Sequence, residues 1–523
     1  MPRPTIKEWF NEDDAERQSV LQRQRLCASL TIPAVLPPLG QTGSQKLPET
    51  YQSIGSRGVS NVVGKSLMAL FHDPWFVQTL SPEVQYDLRV PDEAKQMAAT
   101  ALFMHDMVIL STLQSAGLTD RQPFRRTSFH SKKHEALTRL FVTGDVLERL
   151  GDDFRLRCYR NDAYTTKRDD DGWVRWHTIK ERVDPIDDLT EEEFSMSGLD
   201  RSALEMKRRN ERCMDMFTAV QWQPRSRNWL IEQEVHDKII KTSEEPVSPY
   251  LSSTYMLLSG ENYGRGLTEI NLGDLRSENE LEKHMLRFAA MAAKYLIMKD
   301  YGCQTRDKDF EKDSGSVVQA RVSGGVVQDS AVFKPDKYAD FQVVNTTIER
   351  KMRDLGKAFL IESDTTPTGE RVTAFQVSRV VQELQGALGG VYAFIADDQQ
   401  IPLLQRTIYQ LQRMNKLPVL PKGAVDLRVT TGIAALNMEV ERQKLVEFAQ
   451  AISLFGPSAA QYVDIGVLVD AYMRRSRLYE PGLRKSREQI EQEIQQSLAV
   501  QADQKMIETA GNVVENRMTA KAA

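Results

Sequence analysis

The chain is poor in the residue types from which many enzymes build a metal centre or a nucleophilic site. Its 523 residues include seven histidines and four cysteines, and the cysteines lie far apart, at positions 27, 158, 213 and 303, with no CxxC pair. This spacing argues against a disulfide framework or a zinc site and is typical of a reducing cytoplasm. No Gly-x-Ser-x-Gly or His-Glu-x-x-His motif is present. We therefore predict a protein that is not an enzyme and uses no metal and no cofactor.

Long hydrophobic runs and an excess of one charge are also missing. The longest apolar stretch, residues 98–113, is interrupted by His105 and Asp106, and a membrane helix needs about 20 apolar residues. The first residues lack the apolar core of a signal peptide, so we expect a soluble protein with no membrane partner. Lys and Arg number 68 against 73 Asp and Glu, a net charge of −5. Any contact with nucleic acid must therefore be local.

One glycine-containing stretch, Gly58-Val-Ser-Asn-Val-Val-Gly64-Lys65-Ser66, invites interpretation as a phosphate-binding loop. Such a loop needs four residues between its first glycine and the Gly-Lys-Ser/Thr triplet, whereas five stand here. A helix over about 59–71 that buries Val62, Val63, Leu67 and Leu70 is the favoured interpretation. A nucleotide-driven enzyme that uses Gly64-Lys65-Ser66 stays open as an alternative.

Two further patterns resemble metal sites without meeting their requirements. His130 and His134 are four residues apart, but no acidic partner is in phase with them, so we predict exposed or capping histidines. The cluster Asp169-Asp-Asp-Gly172 lacks the spaced oxygen ligands and the distal glutamate of a calcium loop. We predict a solvated turn there, within a β-hairpin over 154–183.

The most informative stretch runs from Glu261 to Phe394 and contains two long helical patterns. Ser277 and Glu280 have the spacing of a capping box, which predicts that the first helix begins there. Its apolar positions recur at three- and four-residue steps, at Leu281, Met285, Phe288, Ala292 and Tyr295. Its basic positions fall on another side, at Lys283, Arg287 and Lys294. This helix thus has a packing side and a basic side.

The second helical pattern, over 340–361, has a more regular apolar seam. The seam consists of Phe341, Val344, Ile348, Met352, Leu355 and Phe359. Arg350, Arg353 and Lys357 lie roughly opposite it. The insert 300–339 predicts a small β-hairpin module on Val317–Val322 and Val326-Val327, and residues 362–372 predict a loop that contains Glu370 and Arg371. Thr373 and Gln376 predict the cap of a further helix.

The rest of the chain predicts an α+β fold that is predominantly helical. We expect helices over 92–114 and 131–150 that pack on each other, and charged helix over 187–212. Strands are expected over 213–220 and 228–235 as an antiparallel pair. A helix after Gly390 is expected to be broken or kinked at Pro402, followed by a strand over 427–432 and helical structure over 435–523.

At this point the sequence resembles the portal, or head-to-tail connector, proteins of short-tailed, podovirus-type double-stranded-DNA bacteriophages. The residues that carry the resemblance occur in the order of the family from about Thr31 to Leu454. They are Gln52–Gly58, Lys65–Phe71, Tyr263-Gly-Arg265, Leu272–Ser277, Thr368–Ala374, Leu388–Tyr392 and Leu417–Ala424. No single motif decides the matter, but the ordered set is specific.

The resemblance implies a portal fold that assembles into a ring, dodecameric in the family pattern, around a central channel. It implies an N-terminal arm and wing over 1–276, a first stem helix over 277–299, a clip over 300–339 and a second stem helix over 340–361. It further implies a channel loop over 362–372, a wing return over 373–433 and a helical crown and tail over 434–523. The implied function is to form the channel through which viral DNA is packaged and ejected, and to connect head to tail.

On the same resemblance, the candidates for contact with non-specifically bound double-stranded DNA are basic or loop residues. They are Arg350, Arg353, Lys357, Glu370, Arg371, Lys283, Arg287 and Lys294, of which the last three could instead meet the adjacent subunit. Implied partners are the terminase large subunit, tail adaptor or tubular tail proteins, major capsid and scaffolding proteins, and internal core proteins. The protein would be made in the bacterial cytoplasm and reside in the virion. An intracellular scaffold with no nucleic-acid role is the alternative.

Overall fold

The structure, a computed structural model, describes most of the first 430 residues. The described residues are 4–41, 45–71, 75–85, 87, 91–115, 128–292, 296–299, 322–323, 326–327, 330–333, 338–361, 386, 390–421, 423–429, 444–452, 468–469 and 472. Two compact units divide the chain, Met1–Ala435 and Leu436–Ala523. In the second unit, residues 444–452 are helical. Several predicted features lie outside the described residues, namely Lys294, the loop 362–372 with Glu370 and Arg371, the cap at Thr373 and Gln376, and most of 434–523.

The helices and strands of the first unit alternate along the chain in an α+β pattern. The helices are α1 Ile6–Glu16, α2 Gln18–Ser29, α3 Ile54–Leu70, α4 Pro82–Gln85, α5 Asp92–Ser115, α6 Phe129–Thr143, α7 Glu191–Ser197, α8 Arg201–Glu205, α9 Arg209–Arg212, α10 Leu267–Ile270, α11 Leu272–Ala292, α12 Tyr338–Ala358 and α13 Gly390–Arg413. The strands are β1 Phe76–Leu80, β2 Asp145–Leu150, β3 Leu156–Cys158, β4 Tyr164–Arg168, β5 Val174–Val183, β6 Met214–Gln223, β7 Asn228–Val235, β8 Lys238–Glu245, β9 Tyr250–Thr254, β10 Leu296–Lys299, β11 Val322–Ser323, β12 Val326–Val327, β13 Ser330–Phe333 and β14 Val425–Val429. The mixed α+β class predicted from the sequence is confirmed.

Two antiparallel sheets form the core of this unit, one of five strands in the order β4-β5-β6-β7-β8 and one of three in the order β3-β2-β9. Because successive strand residues point to opposite faces, β6 contributes to apolar clusters on both faces of the sheet. Val220 packs with Ile179 and Leu147. Phe217 and Ala219, one residue out of phase, pack with α1. The predicted hairpin is confirmed for β4 and β5, while β3 pairs with β2 instead.

Hydrogen bonds to buried polar groups hold the N-terminal helices α1 and α2 against the body of this unit. The Glu234 carboxylate on β7 accepts hydrogen bonds from the backbone N–H groups of Ile6, at 2.6 Å, and Lys7, at 3.3 Å. A carboxylate at a helix N-terminus satisfies free amides and opposes the positive end of the helix dipole. The buried Arg17 guanidinium donates to the carbonyl oxygen of Asn161 at 2.6 Å. The N-terminal helices are therefore part of the core assembly.

The segment after α6 differs from the predicted helix over 131–150, because the chain turns at Gly144 and continues as β2. Gly144 has a φ of +87°, and a Cβ there would lie 2.6 Å from the carbonyl oxygen of Gly264. Asp145 Oδ1 accepts a hydrogen bond from the Gly264 N–H at 2.9 Å, and burial raises the pKa of Asp145 to about 7. The Tyr263-Gly-Arg265 motif thus marks a tight backbone crossing. Helix α6 packs against α3 and β2, not against α5 as predicted.

Helix α13 packs against β9 and β14 and continues through Pro402, so the predicted break at this proline is wrong. The buried Lys133 ammonium on α6 donates to Glu148 Oε2 at 2.7 Å and to Gln399 Oε1 at 2.9 Å, which ties α13 to α6 and β2. Strand β14 pairs antiparallel with β1, Leu80 opposite Val425. This two-stranded sheet joins the start of the unit to its end.

Helix α5 carries the longest apolar stretch of the described chain. Met97–Ser115 is long and apolar enough to cross a membrane, with a mean hydropathy of 1.2 and 28% of its window buried. The sequence prediction that this run is too short and too polar to cross a membrane is therefore wrong by length and composition. The buried Asp106 carboxylate accepts a hydrogen bond from the Gln78 N–H at 3.1 Å. Helix α5 thus passes the length and composition test for a membrane helix, and it also packs on strand β1.

Candidate DNA-facing surface

The two long helices α11 and α12 pack against each other in antiparallel orientation. Near the end of α11 and the start of α12, the rings of Phe288 and Phe341 lie 5.4 Å apart between centroids. Nearer the start of α11, the Asp274 carboxylate forms an ion pair with Lys351. Along α12, Ile348 and Leu355 are buried, whereas Met352 is 39% exposed. Most of the apolar seam predicted for the second helix therefore faces the packing side.

The bounds of the first helix differ from the prediction at both ends. Ser277 lies inside α11, where its hydroxyl donates to the carbonyl oxygen of Gly273 at 2.7 Å, so Ser277 and Glu280 do not form a capping box. The helix ends at Ala292, and β10 occupies 296–299 as the antiparallel partner of β13. Strand pairing with a distant segment has overridden the local helical pattern. For the hairpin predicted on Val317–Val322 and Val326-Val327, the structure shows β11 paired with β12, while residues 317–321 lie outside the described residues.

Arg350, Arg353 and Lys357 form what we call the basic stripe of α12. All three are exposed, and at about 100° per residue they fall within an arc of about 60°. None of them has an ion pair within the part of the chain that the structure describes. Asp354 is exposed on the same side, so the stripe is positive but not uniformly so. Its position opposite the buried seam matches the sequence prediction.

The basic residues of α11 have a different environment. Lys283 is partly buried, pairs with Glu280 at 3.3 Å and lies over the ring of Tyr51 at 5.8 Å from the centroid. Arg287 is exposed. The structure therefore brings Lys283 against the body of its own subunit, whereas the basic stripe of α12 has no such engagement.

A buried carboxylate, Glu278, lies within the packing side of α11. It is 0% exposed, and neither carboxylate oxygen has a hydrogen-bond partner among the residues that the structure describes. Burial, reinforced by the nearby Glu282 and opposed by Lys351, raises the pKa of Glu278 to about 7. Sequence reasoning missed this residue, although its position three after the buried Leu275 puts it on the same side of the helix.

Gly64, Lys65 and Ser66 lie within α3 and not in a loop. Lys65 is 4% exposed, and its ammonium donates to the carbonyl oxygen of Leu360 at 3.0 Å. A phosphate-binding loop requires exposed backbone amides at the start of a helix, so this segment does not form one. His134 is exposed and His130 Nε2 lies 3.3 Å from the Phe71 carbonyl oxygen. Over the described ranges, no group of three or more His, Cys, Asp or Glu side chains could hold a metal ion.

The sequence comparison identifies the class of protein to which this α+β unit and its helix pair belong. The model of the bacteriophage head to tail connecting protein family matches residues 3–476. The chain therefore belongs to this family, whose members are structural components of the phage particle at the connection between head and tail.

Among curated proteins, the chain is similar to the portal proteins of three short-tailed phages. It is 28% identical to the portal protein of Enterobacteria phage T3 over 452 residues, which cover 84% of this chain and 81% of that protein. It is 27% identical to that of Escherichia phage T7, over 83% and 79%, and 26% identical to that of Enterobacteria phage SP6, over 98% and 96%. The expected resemblance and the head-to-tail connector role are confirmed.

One solved structure, the neck of an empty GTA particle computed with C6 symmetry, overlaps with the chain at a TM-score of 0.31. The identity is 11%, over 71% of this chain and 87% of that chain. At this TM-score the likeness carries no argument about the fold.

Proposed function

We propose that many copies of this chain close into a ring, dodecameric by the family pattern, and that the α11–α12 pair lines or flanks its central DNA channel. The observation that carries the proposal is the basic stripe of α12, which is exposed and lacks an ion pair within its own described chain. Closed symmetry turns one basic residue into a ring of charge. Such rings contact phosphates without reading bases.

The near-neutral charge of the chain supports a channel that lets DNA pass. A protein that neutralises many phosphates binds duplex tightly and with steep salt dependence. A net charge of −5, with positive residues confined to a few surfaces, favours weak and local contact. This is the balance that a conduit for DNA in both directions requires.

We assign the regions by combining the family pattern with the observed elements. The sheets and helices up to α10, with α13 and β14, form the wing, while α11 and α12 form the stem. The strands β10 to β13 belong to the clip, which would meet the terminase large subunit during packaging and tail adaptor proteins afterwards. The loop 362–372 would enter the channel, and 434–523 would form the crown. Capsid, scaffolding and internal core proteins are further proposed partners.

Charge reversal tests the channel role separately from assembly. Arg353→Glu should leave rings intact but impair DNA packaging or retention, because each ring then presents repeated negative charge to the phosphates; Arg371→Glu should act in the same way. Arg225→Glu, at an exposed turn between β6 and β7, is the matched control and should package normally. The readouts are ring formation by electron microscopy and protected DNA by nuclease assay.

Two results would count against the proposal. Purified protein that stays a discrete single particle with no axial hole would remove the ring and would favour the scaffold alternative. Intact rings of Arg353→Glu and Arg371→Glu that fill heads as the wild type does would keep the ring but remove the channel assignment of these residues.

A further inference from the structure

The C-terminal end of α12 meets α3 at a closely fitted junction. Phe359, just beyond α12, is 0% exposed, and its ring lies directly over Gly58. A Cβ built on Gly58 would be 2.6 Å from Phe359 Cγ, far inside van der Waals contact. Only a residue without a side chain lets the ring come this close. The close fit of the Phe359 ring over Gly58 therefore fixes the position of the end of α12 along the axis of α3.

Two polar side chains of α3 complete the junction by capping the helix end. Asn61 Nδ2 donates to the carbonyl oxygens of Phe359, at 3.1 Å, and Leu360, at 2.7 Å. Lys65 Nζ donates to the same Leu360 oxygen at 3.0 Å. The last carbonyls of a helix lack intrahelical partners and carry partial negative charge. An amide and an ammonium on one neighbouring helix thus supply the donors that the end of α12 needs.

The local backbone is shaped to present these carbonyls. Leu360 has a φ of +56°, a left-handed conformation that is uncommon for a residue with a side chain. The Ile361 N–H donates to the carbonyl oxygen of Gly356 at 2.8 Å, which closes the last turn as helices commonly end. Leu360 itself is buried. The turn is consequently fixed from within by its backbone and from outside by α3.

We propose that Asn61 and Lys65 are positioning residues for DNA passage: by capping α12 they hold its last two turns, and with them Arg353 and Lys357, at one height and rotation relative to the wing. This inference rests on the proposed channel function. Lys357 lies one half-turn before Phe359, so the cap acts on the same turn that carries the stripe. Since a helix turns by about 100° per residue, a small slip at its end would re-aim both basic side chains.

The two contacts between α11 and α12 described above both lie before the last turn of α12. The Phe288–Phe341 contact lies near its first turn, and the Asp274–Lys351 ion pair lies next to Arg350, about two turns before the helix ends. Screening in physiological salt acts over about 8 Å, so a displacement of a few ångströms changes the field at a phosphate. The α3 junction is thus the described contact that fixes the charged end of the helix.

The test uses assembled rings of Lys65→Met and Asn61→Ala. Hydrogen–deuterium exchange of residues 353–361 should become about fivefold to tenfold faster, the fold-change expected for loss of a cap worth about 1 kcal/mol. Exchange in α11 and in the strands β4 to β8 should stay unchanged. DNA packaging should fall severalfold while the number of rings is unaltered. Ser60→Ala, on the exposed side of α3, is the control and should behave as wild type.

The conservative variant Lys65→Arg tests whether the donated hydrogen bond and the charge, and not stability in general, account for the effect of Lys65. Arginine retains charge and donors, so it should restore slow exchange and most of the packaging that Lys65→Met loses. If Lys65→Met fails to assemble, Lys65→Arg and Asn61→Ala decide the matter by the same measurements. Unchanged exchange of 353–361, or faster exchange spread evenly over the wing, overturns the positioning role.

The positioning role and the channel role fail in different ways. If Arg353→Glu packages normally, the channel assignment fails whatever the exchange results show. If Arg353→Glu loses packaging while Lys65→Met and Asn61→Ala package normally in intact rings, the channel assignment stands and the positioning role is overturned.

Discussion

The five-stranded sheet and the α11–α12 pair bury their apolar side chains to very different degrees. In the sheet core, Ile179 and Val220 are 0% exposed. In the helix pair, Leu286 is 52% exposed and Val343 68% exposed, and the packing side includes Glu278, whose carboxylate has no hydrogen-bond partner among the described residues. The sheet core is thus complete within one chain, whereas the helix pair retains exposed apolar surface. In the ring that we propose, neighbouring copies would cover this surface.

The largest expected effect of a single substitution is in the sheet core. Leu147→Ala removes a fully buried side chain and should lower the free energy of unfolding by about 2 to 5 kcal/mol. Chemical denaturation of the isolated subunit measures it. A loss of less than about 1 kcal/mol would contradict the comparison, because the sheet core would then be no better packed than the helix pair.

Next in size is a substitution on α3, where this helix meets the end of α12. Gly58→Ala places a methyl group against the base of the Phe359 side chain, which cannot swing away freely, and should cost about 1 to 3 kcal/mol through overpacking. Gly64→Ala in the same helix, where a Cβ meets nothing within 4 Å, is the matched control. It should be neutral or slightly stabilising, because alanine is the better helix former.

A pH-dependent effect is expected from Glu278. Its carboxyl pKa is raised from 4.5 to about 7 in the folded protein, so the folded state holds the proton more tightly than the unfolded state. The stabilising contribution is complete below about pH 4.5 and is lost as pH rises to about 7. Glu278→Gln should remove this dependence of stability on pH. At pH 8, it should raise the free energy of unfolding by about 1 to 3 kcal/mol.

Melting curves of wild type and Glu278→Gln between pH 5 and pH 8 check this prediction. Glu280→Gln changes an exposed carboxylate two residues later, on the other side of the helix, and is the control that should keep the wild-type pH dependence. Parallel slopes in all three proteins would show that Glu278 does not titrate differently on folding.

The smallest effect on the subunit is expected at the exposed side of the helix pair. Leu286→Ser and Val343→Ser should change the free energy of unfolding of the isolated subunit by no more than about 0.5 kcal/mol. If these side chains are covered in the ring, the same variants should lower the temperature at which rings dissociate, measured by mass photometry after heating. Equal ring stability would mean that the exposed surface is not a subunit contact.

The sequence predicted those parts of the fold that follow from local pattern. The seam of α12 and its opposite basic stripe come from three- and four-residue spacing, and the β4–β5 hairpin comes from alternation around an Asp-Gly turn. The end of α6 was missed because Gly144 stops the helix through a backbone crossing with residues 264–266. Such a crossing depends on residues distant in the sequence.

The sequence predicted the charged residues of the candidate site, but not the buried contacts that hold them in place. Arg350, Arg353 and Lys357 followed from their spacing, whereas the role of Lys65 depends on a carbonyl oxygen almost three hundred residues later in the chain. Its place three residues after the buried Val62 was a signal that this lysine faces inward. Spacing can show which side of a helix a residue occupies, but not which distant group it meets there.

The pairing of β1 with β14 has a consequence for how each copy matures on the ribosome. Leu80 meets Val425, so β1 leaves the ribosomal tunnel long before its partner is made. At about 5 to 20 residues per second, it waits on the order of tens of seconds with an unpaired edge. The β1–β14 sheet therefore forms late in the synthesis of each chain. Until β14 is made, the unpaired edge of β1 is exposed to pairing with the β1 edge of another nascent chain, and synthesis of β14 removes this hazard.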